Sequence, residues 1–127
     1  MSRADHTINM VIAALGGEGG GVLTNWLIAA AEQSGWWCQS TSLAGVAQRT
    51  GATIYYLEFM PREGDQRAPV MSLFPAQGDI DIAVASEIAE AGRMISRGFI
   101  SPEKSALIAS DHRVFGCLLY TSPSPRD

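Results

Sequence analysis

The sequence predicts an α/β fold, a Rossmann-like three-layer sandwich with a largely parallel sheet, and three observations carry that expectation. The run Ile8 to Ala14 is almost wholly apolar, the pattern of a strand buried on both faces. It runs directly into the glycine cluster Gly16-Gly17-Glu18-Gly19-Gly20-Gly21, and a helical pattern leaves that cluster. Strand-like and helix-like segments then alternate along the chain, as they do when helices layer onto a sheet.

Each element has its own justification. From Val22 to Ser34, apolar residues at Val22, Leu23, Trp26, Leu27, Ala30 and Ala31 form one helical stripe, and Gly35 follows as a stop. Trp36 to Thr41 reads as a short second strand, and Leu43 to Gly51 as a loop with room for one helical turn. Ala52 to Met60 is the third strand, rich in β-branched and aromatic residues at Thr53, Ile54, Tyr55 and Tyr56. Pro61 to Ala68 carries turn chemistry through Pro61, Gly64 and Asp65, and Pro69 to Phe74 is expected to return as an edge strand. Ile80 to Ala85 is a buried strand, and Ser86 offers an N-cap to a helix whose face holds Ile88, Ala91, Gly92 and Ile95 before Gly98 ends it. Ser105 to Ser110 is the last strand.

At 127 residues and 46% hydrophobic, the chain has apolar material for one modest core and one domain. Residues 117–127, Cys-Leu-Leu-Tyr-Thr-Ser-Pro-Ser-Pro-Arg-Asp, resemble translated sequencing-adapter DNA, and their two Ser-Pro pairs carry no structural period. The expected division is therefore a domain over 1–116, cut short at its carboxyl end, and a non-native tail over 117–127; a natural disordered tail is the alternative.

Composition excludes several function classes. A formal net charge of -4 leaves no basic patch to neutralise a phosphate backbone, which argues against a nucleic-acid partner. The polar start and the short apolar run at Ile8 give neither leader nor membrane anchor, so a cytoplasmic protein is expected. Cys38 and Cys117 cannot supply the four thiolates of an iron-sulfur cluster. His6 and His112 lie near the ends and pair with no nucleophile, so no self-contained catalytic constellation is expected. Asp79 and Asp81 alternate with Ile80 and Ile82 and read as the start of a strand, not as a metal site. Trp26, Trp36, Trp37, Tyr55 and Tyr56 read as core or interface.

Two segments could carry chemistry. The glycine cluster sits where ligands bind in α/β sheets, because a helix N-terminus offers free N–H groups and glycines admit a ligand to the backbone. The dinucleotide fingerprint fails there, since Val22 and Thr24 stand where a small residue would close it, and Gln39, Ser40 and Thr41 replace the acid that would hold a ribose. Gly16 to Gly21 has P-loop spacing, but Val22 and Leu23 replace its Lys and Ser/Thr. Glu18 would repel an anion and reads as a solvated loop residue. Gly16, Gly17, Gly19 and Gly20 either let the backbone approach a ligand or partner, or serve tight turning and packing. The second segment, Ser42 to Ala52, brings Gln48, Arg49 and Thr50 as donors for a carboxylate or phosphate, or forms a plain surface turn.

Together the two segments carry a family resemblance. Ala14 to Thr24 is similar to the glycine motif that opens the gamma-type domain of pyruvate, ketoisovalerate and indolepyruvate ferredoxin oxidoreductases. Ser40 to Ala52, followed by Thr53-Ile54-Tyr55-Tyr56, resembles the indolepyruvate branch, beta-subunit type. Gly78 to Ile82 and Glu87 to Arg93 resemble the family's next strand-to-helix passage, so the likeness spans Ile8 to about Val114. Glu18 departs from the Gln usual in the Gly-Gly-Gln-Gly motif. The resemblance implies an accessory subunit or domain, not catalytic alone, of an enzyme that oxidatively decarboxylates an aryl-pyruvate, acylates coenzyme A and passes electrons to ferredoxin. It implies that thiamine diphosphate and iron-sulfur clusters are held mainly by a partner subunit or domain, with no cofactor held by this chain alone. In that setting Gly16, Gly17, Gly19 and Gly20 would admit a partner or phosphate, while Gln48, Arg49 and Thr50 would face an anionic group of cofactor, coenzyme A or partner. A free-standing nucleotide- or flavin-binding module and a purely structural assembly subunit are the rival readings.

Overall fold

The unbroken apolar run becomes β1 (Ile8–Leu15), the middle strand of a five-stranded sheet in a computed structural model that describes residues 7–43, 52–62 and 78–111. After it come α1 (Gly20–Gln33), β2 (Trp36–Leu43), β3 (Ala52–Pro61), β4 (Ile82–Ala85), α2 (Ile88–Ser96) and β5 (Ala106–Ala109), and the strand order is β2-β3-β1-β4-β5. β1 lies parallel to β4 and β4 parallel to β5. On the other side β3 runs antiparallel to β1, with Leu15 opposite Ala52, and β2 runs antiparallel to β3, with Leu43 opposite Ile54. Four strands therefore point one way and β3 alone points against them, so the sheet is mixed while keeping a largely parallel sense. The reversal follows from chain length: residues 44–51 are too few for the crossover of roughly a dozen residues that a parallel neighbour needs.

Alternation along β1 sends residues to two cores. Val11 and Ala13 join Ile54, Tyr56, Ala83 and Ala85 under Ala91 and Met94 of α2. Met10, Ile12 and Ala14 join Leu57 and Phe59 under Leu23, Leu27, Ile28 and Ala31 of α1. A strand with apolar residues on both faces thus has a helix on each, which is the expected three-layer arrangement. Each fully buried aliphatic side chain here, Ile12 and Leu57 among them, contributes about 1.5–3 kcal/mol.

Several boundaries shift. α1 starts at Gly20, earlier than the apolar stripe suggested, and it turns Val22 and Trp26 outward, where they are 53% and 69% exposed. A helix apolar on nearly every side gives periodicity little power to name the buried face. β4 starts at Ile82, and the residues before it bond β1 through side chain as well as backbone: Asp81 N–H donates to Asn9 O at 2.8 Å, the Asp81 carboxylate accepts from the Asn9 backbone N–H at 2.8 Å, and Asp79 accepts from the Asn9 amide at 3.1 Å. The two aspartates thus clamp the starts of β1 and β4 together, and Lys104 pairs with Asp79 at 2.7 Å. The α2 cap is Glu87, which makes no side-chain cap bond, and not Ser86. The α2 end is as expected: Gly98 takes φ 76°, its N–H reaches Ile95 O, and Phe99 N–H reaches Met94 O, the bond pair of a glycine-closed helix. The turn at 63–68 and the edge strand at Pro69 to Phe74 lie outside the described residues, as does the tail. Among the described residues no helix is long and apolar enough to cross a membrane.

Candidate functional site

The sheet topology gathers one set of chain ends at one edge. Leu15 ends β1, Leu43 ends β2, and Ala52 starts β3 opposite Leu15. The glycine loop and the 44–51 connection therefore leave and enter the sheet side by side. Gln48, Arg49 and Thr50 themselves lie outside the described residues.

The glycine loop begins as a four-residue turn. Glu18 N–H donates to Leu15 O at 3.1 Å, and Gly17, third in the turn, takes φ 82°, a conformation that a side chain disfavours. Gly19, also at φ 82°, is the N-cap of α1, and its carbonyl accepts from Leu23 N–H at 2.9 Å. Gly16, Gly17 and Gly19 are exposed, and a Cβ added at any of them would meet nothing within 4 Å. Gly20 differs. It is buried, and a Cβ there would stand 2.7 Å from Ala14 Cβ and 2.8 Å from Tyr55 Cε1. Its bareness is accounted for by packing of α1 against β1 and β3, whereas the other three leave open backbone at the loop crest. Beyond them the first turn of α1 presents N–H groups that have no partner within the helix.

Glu18 is exposed but is not simply solvated. Its Oε1 accepts from the Ser86 hydroxyl and, at 3.4 Å, from Leu15 N–H, which also reaches Ser86 Oγ at 3.2 Å. Ser86 lies directly after β4, and its own N–H donates to Ala13 O at 2.9 Å. The carboxylate is thus bound toward the β4 side of β1. Nothing local in the sequence signals this link, because its two ends are far apart along the chain.

On the other side of β1, next to the first turn of α1, lies a polar cleft of about 210 Å³ whose lining includes Gly21, Thr24, Asn25, Ser40, Ser42 and Tyr55. A larger groove of about 290 Å³, with Ile8, Met10, Leu27, Trp36, Phe59 and Ile82 in its walls, sits toward the opposite edge and is almost wholly apolar. It is a gap in the packing of α1 on the sheet and carries no polar chemistry. Cys38 is a free thiol, and the described residues contain no group of three or more potential metal ligands. Among the aromatics, Tyr56 is 2% exposed and bonds Glu58 at 3.4 Å, Trp37 stacks on Arg62 at 4.0 Å, and Trp26 stands outside. Burial, reinforced by the nearby Glu58, Asp79 and Asp81 carboxylates, pushes the Tyr56 phenol up.

Known proteins share this arrangement. One solved structure, 2-oxoglutarate:ferredoxin oxidoreductase from Magnetococcus marinus with 2-oxoglutarate, coenzyme A and succinyl-CoA bound, superposes with a TM-score of 0.60 at 14% identity, over 87% of this chain and 18% of that one. Another, the pyruvate oxidoreductase subunit PORC from Thermotoga maritima, superposes with a TM-score of 0.56 at 16% identity, over 87% of this chain and 53% of that one. At those identities the two likenesses establish the fold, and this chain spans only part of either protein. No curated protein matches the sequence. The description of the pyruvate ferredoxin/flavodoxin oxidoreductase family matches residues 9–126, nearly the whole chain. With that match joined to an α/β sheet of the same architecture, the chain belongs to the pyruvate ferredoxin/flavodoxin oxidoreductase family.

Proposed function

We propose that this chain is an accessory domain or subunit, not catalytic alone, of a cytoplasmic 2-oxoacid:ferredoxin oxidoreductase acting on indolepyruvate or related aryl-pyruvates. The overall reaction would split the 2-oxoacid into carbon dioxide and an acyl group carried by coenzyme A, with two electrons passing to ferredoxin. Thiamine diphosphate and iron-sulfur clusters would reside on a partner subunit or domain. Among the described residues Cys38 is a lone thiol without cluster spacing, which supports placing the clusters elsewhere. The observation that carries the reading is the family match, and the neighbouring ends of β1 and β3 at one sheet edge are consistent with it. There the open backbone of Gly16, Gly17 and Gly19, with Gly20 seating the helix behind them, would face the partner, and Gln48, Arg49 and Thr50 would meet an anionic group of cofactor, coenzyme A or partner. Residues 117–127 are read as a non-native tail on the strength of their adapter-like string and Ser-Pro pairs, against a family match that runs on to residue 126.

The test is purification of the tagged protein from its source cells, followed by indolepyruvate-dependent reduction of a viologen dye. Activity with a co-purifying brown, thiamine-dependent partner is the expected result, and Arg49→Ala should lower turnover in that complex without changing the melting profile. Unchanged kinetics for this variant would remove Arg49 from the site. A colourless lone chain that binds a nucleotide or a flavin would transfer the assignment to a free-standing module, which the strand–loop–helix unit also suits.

A further inference from the structure

We propose that the outer edge of β5 docks a second copy of this chain, the two β5 strands pairing antiparallel about a two-fold axis at Leu107. The contact goes beyond the oxidoreductase reading and does not depend on it. Backbone groups of alternate residues along a strand face opposite ways, and in β5 the Ala106 and Ser110 N–H groups are spent on Asp81 O and Ala85 O, on the β4 side. Leu107 and Ala109 therefore turn their N–H and C=O groups outward, where no described strand meets them. Symmetry centred on Leu107 lets the two copies of that residue exchange both bonds, the closely spaced pair of an antiparallel ladder. Ala109 N–H then faces Ser105 O of the second copy. The edge also lacks the features that usually prevent such pairing: Ala106-Leu107-Ile108-Ala109 holds no charge and no proline, and all of it is exposed.

The side chains obey the same symmetry, which selects a second copy over an unrelated strand. On the α1 side Ile108, 60% exposed, falls opposite the small Ala106 of the second copy. On the α2 side the two Leu107 side chains meet at the axis, between the flanks of the two α2 helices. Each α2 buries Glu90, Ala91 and Met94 and leaves Ile88 and Ile95 48% and 58% exposed, about a quarter turn round the helix. Of the face expected to be buried, Ile88, Ala91, Gly92 and Ile95, only Ala91 is. The β4–α2–β5 crossover is right-handed by rule, which sets the Ile88–Ile95 flank on the β5 side. A two-fold axis at Leu107 thus brings two antiparallel α2 helices together over the joined strands, apolar flank to apolar flank. Gly92 between the isoleucines presents bare backbone, since a Cβ there would meet nothing within 4 Å, and this admits a close approach. Strand edge, Leu107 and α2 flank form one self-complementary surface.

The test is the mass of the full chain in solution over a concentration series, with amide hydrogen exchange read at the same concentrations. The mass should level off at two chains, because a two-fold contact closes on itself. Exchange at Leu107 should slow as the dimer forms, while Ile108, whose N–H faces β4, keeps one rate throughout. Ile95→Glu should raise the dimer dissociation constant about tenfold without moving the melting temperature, since Ile95 is exposed in the single chain. A monomer at every concentration would overturn the proposal, and protection of Leu107 in that monomer would show another segment of the chain on the edge. Growth past two copies without a plateau would overturn it too, as would a dimer that leaves Leu107 exchange unchanged. A dimer indifferent to Ile95→Glu would strike α2 from the contact. None of these results bears on the oxidoreductase reading, which viologen reduction tests separately.

Discussion

At Gly20 and Gly21, adjacent in sequence, the missing side chain has opposite consequences. An alanine at Gly20 would press on Ala14 Cβ and the Tyr55 ring at 2.7 and 2.8 Å, atoms that sit on two sheet strands and cannot withdraw. Gly20→Ala should therefore destabilise by about 1–3 kcal/mol, as overpacking does. Gly21→Ala meets only an ordinary contact and gains helix propensity, so it should leave stability unchanged or raise it by up to about 1 kcal/mol. Urea unfolding midpoints of the two variants check the contrast, and equal shifts would refute it. Read from the sequence, Gly20 belonged with Gly16, Gly17 and Gly19 as one ligand-facing group. The difference was invisible there because its cause, Tyr55, comes from a strand far along the chain. Cys38 is a second residue whose behaviour depends on its surroundings. Burial, with the Glu32 carboxylate adding to it, pushes its thiol up from 9.0 to about 11. The thiolate is the reactive form, so alkylation of Cys38 by iodoacetamide should be slow at pH 8 and accelerate only toward pH 11. Between those two pKa values the unfolded chain releases a proton that the folded chain keeps, so this group makes stability fall as pH rises through that window. Peptide mapping by mass spectrometry reads the rate, and prompt labelling at pH 8 would contradict the raised thiol pKa of this half-buried site.

Between elements, the contacts that position the glycine loop come from its neighbour in space. Glu18 and Ser86 tie the β1–α1 turn to the β4–α2 turn, so the loop crest moves with α2 and not only with α1. Glu18→Gln keeps an amide oxygen for Ser86 and Leu15 and should cost no more than about 1 kcal/mol. Glu18→Ala removes both bonds and should speed amide exchange at Leu15, whose N–H rests on the same cluster. Identical exchange in the two variants would show that the link does not order the turn. Element existence was legible wherever the signal was local: β1 from its unbroken apolar run, β3 from its β-branched and aromatic residues, the α2 end from Gly98. The buried face of α1 was not, since an apolar Trp26 and an apolar Leu27 look alike until a sheet lies on one side. Nor was the role of Ser86, where a tertiary bond to Glu18 displaced the cap that its position suggested.

For the whole molecule, strand alternation announced an α/β sandwich, yet the order of strands and the reversal of β3 depend on pairings that no single segment encodes. The same applies to the sheet edges, β2 and β5. All of β5 is exposed, and alternation puts Ile108, 60% exposed, beside Val84 on the α1 side and Leu107, 38% exposed, beside Ala83 on the α2 side. α1 reaches over β1, β2 and β3 but leaves this end of its face bare. Among the described residues no strand pairs with the outer row of β5 backbone groups, and an apolar edge of that kind is a template for another chain. The isolated chain should therefore associate reversibly as its concentration rises. Ile108→Lys places a charge on the edge without removing a buried contact, so it should suppress association while leaving the unfolding midpoint within about 0.5 kcal/mol of wild type. Sedimentation velocity over a concentration series decides the matter. If the Lys variant associates as strongly as wild type, the contact lies elsewhere, and the exposed α1 ridge of Val22 and Trp26 becomes the next surface to change.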